Sequence, residues 1–115
     1  MYFERLEVWK RAHKLTVMAY KALSQCRDFG FKDQITRSVL SVPSNIAEGM
    51  GHISIKERAR FYQYARASIS EFRAQVLVAK DIGYLTPEDS TFFVEESLAI
   101  SKMLYALQKS LTSIN

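Results

Sequence analysis

The sequence predicts an all-α fold, an up-down-up-down four-helix bundle forming one domain over residues 1–115. Three observations lead there. Apolar residues recur at spacings of three and four through four separate segments. No stretch alternates at period two. The connections between segments are short and carry Gly, Pro and capping residues.

Segment one is read from about Glu4 to Gln25. Trp9, Ala12, Thr16, Ala19 and Leu23 make one stripe, and Val8, Leu15, Met18 and Ala22 make a second. So wide an arc exceeds what a simple two-layer contact needs, so a second buried face against a neighbouring copy is expected. Phe29-Gly30-Phe31 reads as the connection, with Gly30 free to take positive φ.

Segment two is read from about Lys32 to Glu48, with Gly49 and Gly51 at its end. Ile35, Val39, Val42 and Ile46 form its stripe, and Pro43 sits inside it. Proline cannot donate to the Val39 carbonyl and its ring crowds that carbonyl, so a kink or a stop and restart is expected, hinged at Val42. The hydroxyls of Ser38, Ser41 and Ser44 are candidates to satisfy the freed carbonyl. Asn45 and Glu48 share a face. Asn45 is expected to bond the backbone of a neighbouring helix, and Glu48 to pair with Arg58 or Arg60.

Segment three is read from about Ser54 to Ile82, roughly 40 Å at 1.5 Å per residue. Ser54 and Glu57 form a capping box, and Gly83 supplies the stop. Ile55, Ala59, Tyr62, Ala65, Ile69, Phe72, Val76 and Ala79 make a bundle seam. Segment four starts at Thr86 as N-cap and Pro87 as first helical residue, with Glu88 and Asp89 favourable in the first turn. Phe93, Ile100, Leu104, Leu107, Leu111 and Ile114 form its stripe.

At 48% hydrophobic residues the chain is globular rather than disordered. No run approaches the ~18 apolar residues of a membrane span. Glu4, Arg5 and Glu7 stand where a signal peptide would be apolar. The lone Cys26 excludes an internal disulfide. Together these predict a cytoplasmic protein. The net charge is +4, unevenly spread. Residues 1–80 hold 14 Lys/Arg against 7 Asp/Glu, and residues 81–115 hold 2 against 5. A basic body with an acidic final segment suits an anionic partner, nucleic acid first, or head-to-tail contact between copies. A plain solvated surface would look the same.

The cations fall in stripes. Lys10, Lys14 and Lys21 lie on one face of segment one with Arg11 adjacent, and Arg66, Arg73 and Lys80 repeat every seven residues along segment three. Lys56 and Arg60 sit four apart near its start, and Arg37 lies in segment two. Such stripes can follow a phosphate backbone without reading bases. Tyr62 and Tyr64 could stack on bases or pack in the core. Trp9, Tyr20, Phe61 and Tyr64 would leave large aromatic surface open, which makes them candidates for contacts between copies.

Enzyme chemistry finds little footing. A di-metal bundle site needs Glu-x-x-His motifs, and neither His13 nor His52 has a Glu three residues before it. Glu48 precedes His52 by four, but Gly49 and Gly51 intervene. No glycine-rich phosphate loop exists, and Cys26 reads as a small apolar residue. No catalytic residue, metal or cofactor is expected.

QITRSVLSVPSNIAEG resembles the signature of the four-helix-bundle family of 23S ribosomal RNA intervening-sequence proteins. Ser41, Pro43, Ser44, Asn45, Glu48 and Gly49 carry the likeness. FERLEVWKRAHKL resembles that family's opening, with Phe3, Leu6, Trp9 and Ala12 in place. RFYQYARASISEFRAQVLVAKDIGYL resembles its third helix, with Arg60, Phe61, Ala65, Ser68, Glu71 and Gly83-Tyr84-Leu85 in place. Thr36 and His52 stand where the family usually has basic residues, and Ala67 where it has glycine. The loop after segment one is shortened and lacks the family's proline. The resemblance implies a protomer that assembles as a ring, usually a homopentamer. A related branch, the accessory variability proteins of diversity-generating retroelements, resembles a basic barrel that binds nucleic acid and a reverse transcriptase. The combined expectation is a non-enzymatic ring offering a basic surface to RNA or DNA. The alternative is a protein-interaction ring serving as accessory subunit, for example to a reverse transcriptase.

Overall fold

The computed structural model describes residues 2–112. A short 3-10 turn, Phe3–Arg5, leads into four helices: α1 (Glu7–Ala22), α2 (Phe29–Met50), α3 (Ile55–Asp81) and α4 (Pro87–Thr112). Consecutive helices pack on one another and α4 closes back on α1. The result is an up-down-up-down bundle of 48 × 21 × 20 Å. Ile114, placed on the α4 stripe by the sequence, lies outside the described residues.

The core follows the predicted stripes, except that Ile55, placed on the seam of α3 by its spacing, is exposed because it stands in the first turn of that helix. Ile35, Val39, Val42 and Ile46 of α2 are fully buried, as are Ala65, Phe72, Val76 and Ala79 of α3. Phe93, Ile100 and Leu104 of α4 close the interior. Helix α1 departs from expectation. Both of its stripes are used inside the protomer: Val8, Ala12, Leu15, Ala19 and Leu23 are buried, and Trp9, Met18 and Ala22 pack against the same core. The wide apolar arc is explained by α1 wedging between α2 and α4, not by a spare face.

The caps are local and legible. Ser54 Oγ accepts from the Glu57 amide at 3.3 Å, and Thr86 Oγ1 accepts from the Asp89 amide at 3.1 Å. The Glu57 carboxylate, though, goes to Arg60 at 2.6 Å. Gly83 ends α3 with φ of 84°, a conformation in which a side chain would be strained.

Helix α2 corrects the sequence reading at three places. It starts at Phe29, because Asp28 caps it by accepting from the Phe31 amide at 3.2 Å. Gly30 therefore lies in the first turn and not in a positive-φ connection. The helix runs unbroken through Pro43. Thr16 of α1, not a serine of α2, reaches the freed Val39 carbonyl, at 3.2 Å. Finally, α2 continues past Gly49 to Met50. A Cβ at Gly49 would lie 2.8 Å from Tyr62 Cε1 and 3.3 Å from Phe61 Cβ. Gly49 lets α2 and α3 approach closely and does not end the helix.

Candidate nucleic-acid interface

The polar residues of the α2 motif form a seam against α3. Asn45 Nδ2 donates to the Ser41 carbonyl and to Ser41 Oγ, each at 2.8 Å. Ser41 Oγ lies 2.9 Å from Ser68 Oγ of α3. One turn earlier, Ser38 Oγ donates to Gln75 Oε1 at 2.6 Å. Asn45 thus bonds its own helix and reaches α3 through Ser41, where a direct bond to a neighbouring backbone was expected. These contacts satisfy half-buried polar groups between two packed helices. Pro43 faces the other way, toward α1, and Ser44 stays exposed, donating to the Leu40 carbonyl at 2.9 Å. The expected pairing of Glu48 with Arg58 or Arg60 does not form. Glu48 Oε2 stands 3.9 Å from His52 Nε2 instead.

The candidate cations differ in how far they are engaged by carboxylates. Lys10, Lys14 and Lys21 are exposed on α1 and hold no ion pair among the described residues. They keep to one face because positions four and seven apart return to the same side of a helix. Arg11, beside them, is bound bidentately to Glu96 of α4, with Nη2–Oε1 2.7 Å and Nε–Oε2 2.8 Å. Hydrogen bonding to Arg11 holds the Glu96 carboxyl below its ordinary value against the opposing effect of burial. Arg37 pairs with Asp33 at 2.9 Å in solvent.

The heptad stripe of α3 is not one open face. Arg66 is half-buried, donates to Gln108 Oε1 at 2.8 Å and lies over Tyr105, its Cζ 5.0 Å from the ring centre. Arg73 is half-buried too, and Lys80 is exposed beside Leu77, Thr91 and Glu95. Arg66 ties α3 to α4 and Lys80 borders α4, so the stripe is not uniformly open to solvent. Lys56 is exposed, while Arg60 is shared between Glu57 and the rings of Phe61 and Tyr64.

The aromatic candidates differ in setting. Trp9 is half-buried in a groove of about 380 Å³ between α1 and α2, with Phe3, Val17, Leu40, Pro43 and Ala47. His13 meets Trp9 edge-on at 4.9 Å there. Tyr20 and Tyr64 are exposed, Phe61 is half-buried, and Tyr62 is buried in the core. His52, read from the sequence as a weak metal-ligand candidate, and Arg58, read as a partner for Glu48, instead join Phe61 and Tyr64 in one cluster at the α2–α3 corner. Among the described residues, no group of three His, Cys, Asp or Glu could hold a metal ion. No helix there is long and apolar enough to cross a membrane.

A family model described as 23S rRNA-intervening sequence protein matches residues 4–106 of the chain. The fold is similar to a crystal structure of a protein of unknown function from the S23 ribosomal protein family of Bacteroides thetaiotaomicron. The two are 24% identical with a TM-score of 0.83, over 89% of this chain and 98% of that one. No curated protein matches the chain.

Proposed function

The chain belongs to the 23S rRNA-intervening sequence protein family, and from that premise we propose that it is a non-enzymatic cytoplasmic protein that binds RNA or DNA as a ring of copies, a homopentamer. The observation that carries the reading is the α1 stripe. Lys10, Lys14 and Lys21 present three exposed ammonium groups on one helix face, none within 4.0 Å of a carboxylate among the described residues, although Lys14 lies near enough to Glu96 to help hold that carboxyl down. Exposed lysines in a row attract a phosphate backbone through counterion release and need no base-specific contact. Repetition around a ring multiplies the effect, since each further site binds at a raised effective concentration. The groove between α1 and α2 supports assembly, because Val17 and Leu40 stay open beside Trp9 and Pro43. That same groove favours a second reading, in which the ring is a platform for a protein partner such as a reverse transcriptase.

Salt separates the two. Affinity for a labelled oligonucleotide is measured across a salt series, together with mass by light scattering. Phosphate binding weakens log-linearly with salt. Reversing Lys10, Lys14 and Lys21 together to Glu should abolish most of that affinity and leave the mass unchanged. Affinity equal to the parent's would remove α1 as the binding face.

A further inference from the structure

We propose that the corner between α2 and α3 is a stacking site for an unpaired nucleobase, formed by His52, Phe61 and Tyr64 and rimmed by Lys56, Arg58 and Arg60. The inference rests on the nucleic-acid reading above and narrows its substrate class to single strands.

The geometry is that of a platform already partly assembled. The imidazole of His52 lies parallel to the Phe61 ring, with centroids 5.0 Å apart and planes 10° apart. Tyr64 meets Phe61 edge-on, at 5.6 Å and 85°. The Arg60 guanidinium stands over both rings, 5.6 Å from the Phe61 centroid and 5.9 Å from that of Tyr64. Arg58 Nε donates to the His52 carbonyl, which fixes the turn that presents the imidazole. Phe61 covers one face of His52, yet 37% of the His52 side chain remains open, and Tyr64 is 44% exposed. Tyr62, one position from Phe61, is buried and belongs to the core. The sequence therefore places one tyrosine inward for packing and leaves the other outward beside Phe61 and Arg60.

The chemistry selects the occupant. A base in a duplex has its faces covered by its neighbours, whereas an unpaired base offers a free π-face to aromatic rings. Arg60 stands over the rings, Arg58 holds the His52 carbonyl, and Lys56 is exposed one turn before Arg60, so three cations within five positions of α3 are available for phosphate contacts. Two carboxylates lie close by: Glu57 is already paired with Arg60, and Glu48 lies 3.9 Å from His52. A rim this charged suits a polyanion better than the apolar face of a second copy.

The test uses an oligothymidylate carrying one 2-aminopurine, whose emission falls when the base stacks. It is titrated with the parent protein and with His52→Ala, Tyr64→Ala and Tyr64→Phe, and each protein is also titrated with a duplex. The proposal expects quenching by the parent and by Tyr64→Phe. In the two alanine variants the probe stays bright and single-strand affinity drops about tenfold. Duplex affinity and the salt slope stay at parental values in all three. The stacking site is overturned if the alanine variants quench and bind as the parent does. It is equally overturned if they lose single-strand and duplex binding alike, or if Tyr64→Ala changes the mass in solution. A parent that binds both forms equally and leaves the probe bright removes this site alone. A parent that binds neither removes the nucleic-acid reading with it.

Discussion

Thr16 Oγ1 lies 3.2 Å from the carbonyl oxygen of Val39, the acceptor that Pro43 leaves without its helical donor. The same hydroxyl is 2.7 Å from the Ala12 carbonyl, so its single proton is shared between two helices. Val39 is fully buried, and Thr16 nearly so. A carbonyl sealed from water and left unpaired costs about 1–3 kcal/mol. Thr16 therefore pairs the acceptor that Pro43 strands, and Thr16→Val should lower stability by about that amount. Pro43→Ala restores an amide donor to Val39. In that background Thr16→Val should cost less, and a double-mutant cycle by chemical denaturation reads the difference. Additive effects would sever Thr16 from the proline.

Gly49 and Tyr62 make a second, purely steric prediction. The Cβ of an alanine at 49 would sit 2.8 Å from Cε1 of a ring that is itself buried. The ring cannot swing out, so α2 and α3 must separate. Gly49→Ala should destabilise by about 1–3 kcal/mol, as overpacking does. Gly51→Ala, two positions on, meets nothing closer than 3.4 Å and serves as the control. Equal midpoints in a urea titration for the two variants would refute the close approach.

What could be read from the sequence was local. Ser54 and Thr86 announced helix starts because a cap is one side chain and one amide a few positions away. The stripes of α2, α3 and α4 announced the core because burial follows helical period. What could not be read was supplied by distant partners. Pro43 looked like a break because its remedy, Thr16, sits 27 positions upstream on another helix. Arg11 looked like a free cation because Glu96 is 85 positions away. The two stripes of α1 looked like one too many because their depth between α2 and α4 is a property of the bundle. The stack of His52 on Phe61 was not legible because it depends on the turn fixed by Arg58.

The Arg11–Glu96 pair ties α1 to α4 and gives stability a pH signature. The Glu96 carboxyl titrates below its ordinary 4.5, chiefly through its hydrogen bond with Arg11. A carboxyl depressed on folding adds stability that is fully present above its unfolded value. That stability is lost as pH falls through the depressed value. Glu96→Gln should thus be less stable than the parent at neutral pH. The gap should narrow below pH 4.5 as the parent's carboxylate takes up its proton. Thermal melts of both proteins across that window check the sign. A gap that stays constant with pH would mean that packing, not charge, accounts for the pair.

Leu40 and Pro43 test what covers the groove between α1 and α2. Leu40 is 46% exposed there, so a charge at that position disturbs the protomer little. Surface changes of this kind stay within about 0.5 kcal/mol. If a second copy seats on the groove, Leu40→Glu places an unpaired charge in a buried contact and should dissociate the ring. Pro43→Ala removes part of the groove floor and should only loosen it, raising the concentration at which copies come together. Light scattering over a protein dilution series separates these outcomes. Loss of mass in Leu40→Glu with an unchanged helical spectrum locates the interface on this groove. A parent ring that survives Leu40→Glu leaves the groove open, and the contact between copies must then lie on another face of the bundle.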